Sequence, residues 1–152
     1  MPANPDFKDL FRILNEEAVE YLIVGAHAVI FYAQPRYTKD MDIWVNATLE
    51  NAKRVWKALT KFGAPLEDIT IDDFTDKDLI YQIGIEPNRI DVHMDIDGVT
   101  FNEAVKNKQC STYDGIRINI IGKEELIKAK KTTARKQDLL DLEKLEIGSS
   151  SE

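Results

Sequence analysis

The chain has little cysteine, no long apolar run and no excess of positive charge. Its single cysteine, Cys110, excludes an internal disulfide and a metal cluster built from several thiolates of one chain. No apolar run is long enough to cross a bilayer, and the first residues lack the basic and then apolar pattern of a signal peptide. These absences favour a soluble protein of a reducing compartment, so we expect a cytoplasmic location and no membrane partner.

The overall charge is negative, at −7, from 27 acidic and 20 basic residues. This balance argues against a general, sequence-independent grip on nucleic acid, although it leaves a local basic patch open. Apolar residues recur in blocks and make up 43% of the chain, which is the composition of a globular protein. With 152 residues, no internal repeat and no long linker, the sequence predicts one domain over residues 1–147 and a disordered tail over residues 148–152.

Apolar periodicity predicts alternating helices and strands along the chain. Helical spacing covers residues 7–19, 26–33, 49–62, 101–107, 123–133 and 136–145. Short apolar or β-branched runs predict strands over residues 21–24, 40–45, 79–85, 89–94, 110–113 and 116–120. The short turns at Pro87-Asn88 and at Asp114-Gly115 predict two antiparallel hairpins. The acidic stretch 65–78 is expected to be a solvated loop with room for a single helical turn.

Two aspartates stand at the head of an apolar strand. Because side chains alternate along a strand, Asp40 and Asp42 project to one face, with their Cα atoms about 6 to 7 Å apart. Unpaired, the two carboxylates would repel each other and would be costly to desolvate. A hard cation such as Mg²⁺ removes both costs, and carboxylates at this spacing can share divalent ions about 3.5 to 4 Å apart. The pair is therefore predicted to bind metal.

A third acid, Asp91, lies in the middle of another short strand, where alternation places it on one face with Arg89 and His93. If this strand pairs beside the strand of the two aspartates, the three acids converge. For His93 the sequence favours a structural role. Two alternatives stay open for the acid itself. One is that the third ligand is instead Asp95 or Asp97, which more simply shape a turn. The other is that Asp91 forms a salt bridge with Arg89, Arg36 or Lys39.

Several residues could bind phosphate near these acids. Gly25 ends the first strand and begins a short helix, so the backbone N–H groups of Gly25 and Ala26 are available to an anion. Arg36 and Thr38 approach the same place from the loop before the aspartate pair. A basic run is either a solvated helix face or a phosphate clamp, and in it Asp138 could orient a basic partner. The basic run consists of Lys130, Lys131, Arg135 and Lys136.

Together these residues resemble the nucleotidyltransferase (polymerase-β-like) superfamily. More narrowly, they are similar to its small stand-alone members, the minimal nucleotidyltransferases and the abortive-infection toxin nucleotidyltransferases. The resemblance extends from about residue 21 to residue 145. The motifs that carry it are Val24-Gly25-Ala26-His27-Ala28, Pro35-Arg36-x-Thr38-x-Asp40-Met41-Asp42-Ile43, Ile90-Asp91-Val92, Leu126-Ile127-x-x-Lys130, and Arg135 with Asp138 and Asp141.

The resemblance implies a fold of class α/β (α+β), with a mixed β-sheet flanked by helices. It implies Mg²⁺- or Mn²⁺-dependent transfer of a nucleoside monophosphate from a nucleoside triphosphate such as ATP to an acceptor. It assigns metal binding and catalysis to Asp40, Asp42 and Asp91, the last of which also helps to deprotonate the attacking hydroxyl. Phosphate contacts fall on the glycine turn and on basic residues that neutralise charge. The predicted nucleotide-binding set is Gly25, Ala26, Arg36, Thr38, Lys130 and Arg135.

Two departures from the family pattern keep a second hypothesis open. Ala26 stands where the family commonly has Ser or Gly, so a hydroxyl contact to phosphate is lost while the backbone donors remain. The chain also has no evident extra domain for an acceptor, which leaves RNA, a protein or a small molecule open. The alternative is a catalytically degenerate binding module with a partner protein, for example one member of a toxin–antitoxin pair. A homodimer is compatible with either hypothesis.

Overall fold

A computed structural model describes residues 3–33, 40–85 and 87–150 of the chain, with side chains described as far as residue 146. Within these ranges, six strands and six α-helices alternate with one short 3-10 helix, Ile71–Thr75. The helices are α1 Pro5–Glu16, α2 Gly25–Tyr32, α3 Leu49–Phe62, α4 Phe101–Lys106, α5 Lys123–Thr133 and α6 Lys136–Ser150. The strands are β1 Tyr21–Val24, β2 Asp40–Val45, β3 Ile80–Ile83, β4 Arg89–His93, β5 Gln109–Tyr113 and β6 Ile116–Ile120.

The six strands form one mixed sheet in the order β3-β4-β2-β1-β6-β5. The two predicted hairpins are present, since β3 pairs with β4 and β5 pairs with β6 in antiparallel fashion. At the centre, β1 is antiparallel to β2, whereas β2 is parallel to β4 and β1 is parallel to β6. The predicted fold class, a mixed sheet flanked by helices, is therefore confirmed.

The two faces of the sheet differ in chemistry because side chains alternate along each strand. One face is apolar: Tyr21 of β1 stacks on Phe11 of α1 with ring centroids 6.1 Å apart, and Tyr81 of β3 meets Phe74 edge-on at 5.8 Å. On the other face, Trp44 of β2 packs edge-on against Phe101 of α4. Burying these aromatic rings stabilises the sheet by roughly 1.5–3 kcal/mol for each ring, so the polar residues of the second face are held by a rigid scaffold.

Helix ends account for the main differences from the predicted bounds. The predicted first helix was too long, because α1 ends at Glu16 and Ala18 adopts a left-handed φ of 54°. Asn4 caps the start of this helix, since its side chain accepts from the backbone N–H groups of Asp6 and Phe7. The last helix extends beyond its predicted end to Ser150, into the stretch assigned to the tail. A glycine inside a helix costs only about 1 kcal/mol, so Gly148 does not end it.

None of the described helices combines the length and the apolar character that crossing a bilayer requires.

Candidate active site

The three predicted acids lie on one face of the sheet, on two adjacent parallel strands. In the register of β2 and β4, Asp42 is aligned with Asp91 and Asp40 is aligned with Arg89. Aligned residues of neighbouring strands project to the same side. Ligand atoms of Asp42, Asp91 and His93 all lie within 4.8 Å of one another. The predicted convergence of the acids is therefore found, while their role in metal binding stays a prediction.

The acids open into a cavity of about 390 Å³ between the sheet, the start of α2 and the pair α5–α6. Strand residues form its floor, and residues of the two last helices form its opposite wall. A second cavity of about 590 Å³ adjoins the first one, and His93 and Arg135 are among the residues that line both cavities. The lining of the first cavity includes Gly25, Asp40, Asp42, Arg89, Asp91, His93, Asp97, Lys130, Thr133, Arg135 and Asp138.

Gly25 approaches the carboxylate of Asp42 so closely that no side chain would fit between them. Its φ is +67°, a left-handed value that other residues adopt only at a cost. A Cβ atom at this position would lie 2.9 Å from Asp42 Cγ, which is closer than real Cβ contacts come. The glycine therefore has a definite packing reason, and it also brings the first turn of α2 to the cavity wall.

The start of α2 offers backbone donors beside the acids. The N-cap residue, Val24, makes no side-chain hydrogen bond to the helix. The first backbone N–H groups of α2 are therefore not capped by the side chain of this residue. The side chain of Ala26 is buried and is not part of the cavity lining. Any contact of Ala26 with a phosphate would thus come from its backbone, as the sequence predicted.

Arg89 pairs with two of the three acids. Its Nε donates to Asp91 Oδ1 at 3.1 Å, and its Nη2 donates to Asp91 Oδ2 at 3.0 Å and to Asp40 Oδ2. The salt bridge that the sequence left open as an alternative role for Asp91 is thus present in the structure. On the other side, His93 Nε2 lies 2.8 Å from Asp42 Oδ1. Of the side chains on β4, Arg89 therefore pairs with Asp40 and Asp91, whereas His93 contacts Asp42.

The residues present fit a hard divalent cation. Burial raises the pKa of the Asp91 carboxyl; hydrogen bonds from Arg89 oppose this rise, and the negative charge of Asp42 adds to it. Two carboxylates that repel each other in a buried setting are stabilised by a shared positive charge. Carboxylate oxygens are the ligands that Mg²⁺ and Mn²⁺ prefer. Asp42, Asp91 and His93 are the described residues whose ligand atoms lie close enough to share such an ion, and Asp40, which pairs with Arg89, lies on the same face of the sheet.

The structure describes four of the six predicted phosphate-binding residues: Gly25, Ala26, Lys130 and Arg135. Lys130 and Arg135 line the cavity opposite the acids. Arg36 and Thr38, and also Lys39, lie outside the described residues, so their predicted roles are untested.

Three of the four residues of the basic run form ion pairs, and only Lys130 of the four is buried. Lys130 pairs with Asp138 and Asp141, Arg135 pairs with Asp138, and Lys131 lies 3.7 Å from Glu146. Hence it is neither a fully solvated face nor a cluster of unpaired charges.

Two features were underrated by sequence reasoning. His93 was given a structural role, although alternation already placed it on the face of Asp91, and it lies in the group of potential metal ligands. Asp141 matched a family motif but received no role of its own, and it is fully buried beside Lys130. Strand alternation was the signal available for the first, and helical spacing of three residues from Asp138 was the signal for the second.

Comparison with known proteins supports the fold. No protein-family model and no curated protein sequence matches the chain. A Thermotoga maritima protein assigned as a nucleotidyltransferase is similar to it with a TM-score of 0.62 and 16% identity, over 91% of this chain and 88% of that one. The lincosamide antibiotic adenylyltransferase LnuA, with lincomycin bound, gives a TM-score of 0.59 and 15% identity, over 96% and 98%.

A third similar structure is ANT(2″)-Ia in complex with adenylyl-2″-tobramycin. It has a TM-score of 0.59 and 13% identity, over 95% of this chain and 86% of that one. At such low identity the likeness establishes the fold alone, and it confirms the fold that the sequence motifs predicted.

Proposed function

We propose that this chain, whose fold is that of the nucleotidyltransferases, transfers a nucleoside monophosphate from a nucleoside triphosphate to an acceptor hydroxyl, with release of pyrophosphate and with the help of a divalent cation. The observation that carries the proposal is the convergence of Asp40, Asp42 and Asp91 on one cavity, next to the glycine that opens α2. Acids alone would be a weak signal, but the glycine turn, the basic residues opposite and the fold agree with it.

Each residue has a defined task in this proposal. Asp40, Asp42 and Asp91 would hold Mg²⁺ or Mn²⁺, which when bound supplies a Lewis acid that offsets phosphate charge and favours ionisation of a hydroxyl. Burial raises the pKa of Asp91, which suits a carboxylate that accepts the proton of the attacking hydroxyl. Backbone N–H groups at Gly25 and Ala26 face the phosphates. Lys130 donates to them from the opposite wall.

The acceptor is not fixed by these contacts, and RNA, a protein and a small molecule all stay within the proposal. LnuA, which is matched over 98% of its length, is an antibiotic adenylyltransferase. This likeness makes a small molecule one of the candidate acceptors. The adjoining cavity of about 590 Å³ is large enough for part of an acceptor. Cytoplasmic location and a homodimer are further parts of the proposal.

The rival function is a non-catalytic module of the same fold, for example one member of a toxin–antitoxin pair, and Ala26 is the residue that favours it. The test is thermal unfolding with ATP, GTP, CTP and UTP, each with and without Mg²⁺, followed by label transfer with Mn²⁺ and cellular RNA. We expect one triphosphate to raise the melting temperature only with the cation, because ligands of the folded state stabilise it. Label should then appear on RNA, on protein or on a small molecule. Cation binding without nucleotide binding or transfer would favour the module.

Replacing Arg89 by methionine is expected to strengthen cation binding. An ion entering this site has to displace a guanidinium that is hydrogen-bonded to both Asp40 and Asp91. Without this competitor we expect the affinity for Mn²⁺ to rise by roughly ten-fold, or about 1.4 kcal/mol. Titration calorimetry or the electron paramagnetic resonance signal of free Mn²⁺ measures the change.

The metal-free Arg89→Met protein should in turn be less stable, because the buried Asp91 carboxylate then lacks its guanidinium partner. Arg54→Met is the matched control, since Arg54 pairs with Glu50 on the surface of α3. Equal or weaker Mn²⁺ binding in Arg89→Met than in this control would mean that the salt bridge is the whole role of Asp91.

A further inference from the structure

A lysine and two aspartates form a buried cluster where α5 and α6 pack together. Lys130 Nζ lies 3.2 Å from Asp138 Oδ1 and 3.1 Å from Asp141 Oδ2. The exposed fractions of these residues are 9% for Lys130, 1% for Asp138 and 0% for Asp141. Burying charges is costly unless each is paired and hydrogen-bonded. Two of the three residues, Lys130 and Asp138, also line the cavity that contains the three acids.

The aspartates are held firmly by other donors. Asp138 Oδ2 accepts from Thr133 Oγ1 at 2.6 Å, from the backbone N–H of Arg135 at 3.0 Å and from its Nε at 2.9 Å. Burial by itself raises the pKa of the Asp138 carboxyl, but hydrogen bonds from Arg135 and Thr133 outweigh it and hold the pKa well below its usual range. Asp141 Oδ1 accepts from Gln137 Nε2 at 2.9 Å. Both carboxylates are thus fixed before any ligand arrives.

This arrangement fixes the direction of the lysine. An ammonium group carries three N–H donors. One of them donates to Asp138 Oδ1, Asp141 Oδ2 forms an ion pair with the ammonium at 3.1 Å, and Lys130 also lines the cavity that contains Asp42 and Asp91. With respect to the described residues, the ammonium therefore keeps an N–H donor for a ligand in that cavity.

The cluster also has little surplus charge. Two carboxylates face the ammonium of Lys130 and the guanidinium of Arg135, so the formal charges cancel. Lys130 therefore acts on a ligand by a directed hydrogen bond more than by long-range attraction.

We propose that Asp138 and Asp141 are positioning residues, which hold the Lys130 ammonium so that its remaining N–H donates to a phosphate oxygen of a triphosphate bound over the three acids. This inference rests on the proposed function for the identity of the ligand. A purely structural cluster would contribute to stability only. A positioning cluster also determines how tightly a folded protein binds phosphate.

The first experiment observes the lysine directly, in protein labelled with ¹⁵N-lysine. A side-chain ammonium gives a sharp ¹⁵N signal when hydrogen bonds protect it from exchange. We expect one such signal that is missing in Lys130→Met, is shifted or broadened in Asp141→Asn and is unchanged in Glu143→Gln. Glu143 is an exposed acid on the same helix, so this control removes one charge from α6 without touching the cluster. An unprotected Lys130 signal in the unchanged protein would overturn the proposal even if the variants fail to fold.

The second experiment measures binding of Mg²⁺–tripolyphosphate, which offers phosphates without a base. We expect roughly ten-fold weaker binding by Asp141→Asn, with circular dichroism unchanged, and no further loss when Lys130→Met is added. If Asp141→Asn binds like the unchanged protein while Lys130→Met binds weakly, the positioning role is wrong and the proposed function stands. If the unchanged protein does not bind tripolyphosphate at all, both are wrong.

Discussion

Replacing Asp42 by asparagine should abolish nucleotidyl transfer while the fold is kept. The amide has nearly the same shape and can still accept a hydrogen bond from His93, but it no longer offers a charged oxygen to a cation. We expect the transfer rate to fall by roughly 1,000-fold or more, about 4 kcal/mol of transition-state stabilisation. The Mg²⁺-dependent rise of the melting temperature with nucleotide should disappear as well.

The stability of the metal-free Asp42→Asn protein provides an independent check. The charge of Asp42 helps to raise the pKa of Asp91, so removing it relieves a repulsion. The melting temperature without metal should therefore stay equal or increase. Asp68→Asn is the matched control, because Asp68 is exposed on the connection between α3 and the 3-10 helix and is not in the lining of either cavity. An Asp42→Asn protein that transfers or binds nucleotide as well as this control would exclude the proposed site.

Replacing Gly25 by alanine should be nearly as damaging to transfer, for a different reason. The added Cβ would press against the carboxyl group of Asp42, and the left-handed φ of +67° would be strained. We expect a loss of about 1–2 kcal/mol of stability from the backbone alone. Displacing a catalytic group by about 1 Å can cost roughly 100-fold in rate, so transfer should fall by at least that factor. Denaturant unfolding and a transfer assay measure the two effects.

Gly63→Ala separates these two effects. Gly63 has a φ of +90°, so alanine is strained there too, but no heavy atom lies within 4 Å of its added Cβ. It should lose a similar amount of stability and keep its full transfer rate. If Gly25→Ala loses stability to the same extent as Gly63→Ala and keeps its activity, the contact between Gly25 and Asp42 has no role in the site.

The sequence by itself determined which residues share a face, because the two-residue period of a strand is local. Asp40 with Asp42, and Arg89 with Asp91 and His93, were assigned correctly to common faces on this basis. The glycine that begins α2 and the hairpin turns were recognised in the same way, since backbone preferences act over a few residues.

Tertiary structure alone decided that the two strands are neighbours. Forty-nine residues along the chain separate Arg89 from Asp40, yet their side chains are hydrogen-bonded because β4 pairs in parallel with β2. Strand order depends on how the helices cover the sheet, and a local pattern does not contain that information. The same strand pairing brings Arg89 into contact with Asp40 and His93 into contact with Asp42.

The basic run shows the same limit. On the sequence, Lys130 and Arg135 could be read as a solvated helix face or as a phosphate clamp. The chain turns at Ala134, a non-glycine residue with a left-handed φ of 48°, and this turn folds α6 back so that Asp138 and Asp141 meet Lys130. Alanine favours helices and gives no warning of such a turn. The sequence therefore determined the candidate residues and their faces, and long-range packing decided which charges meet.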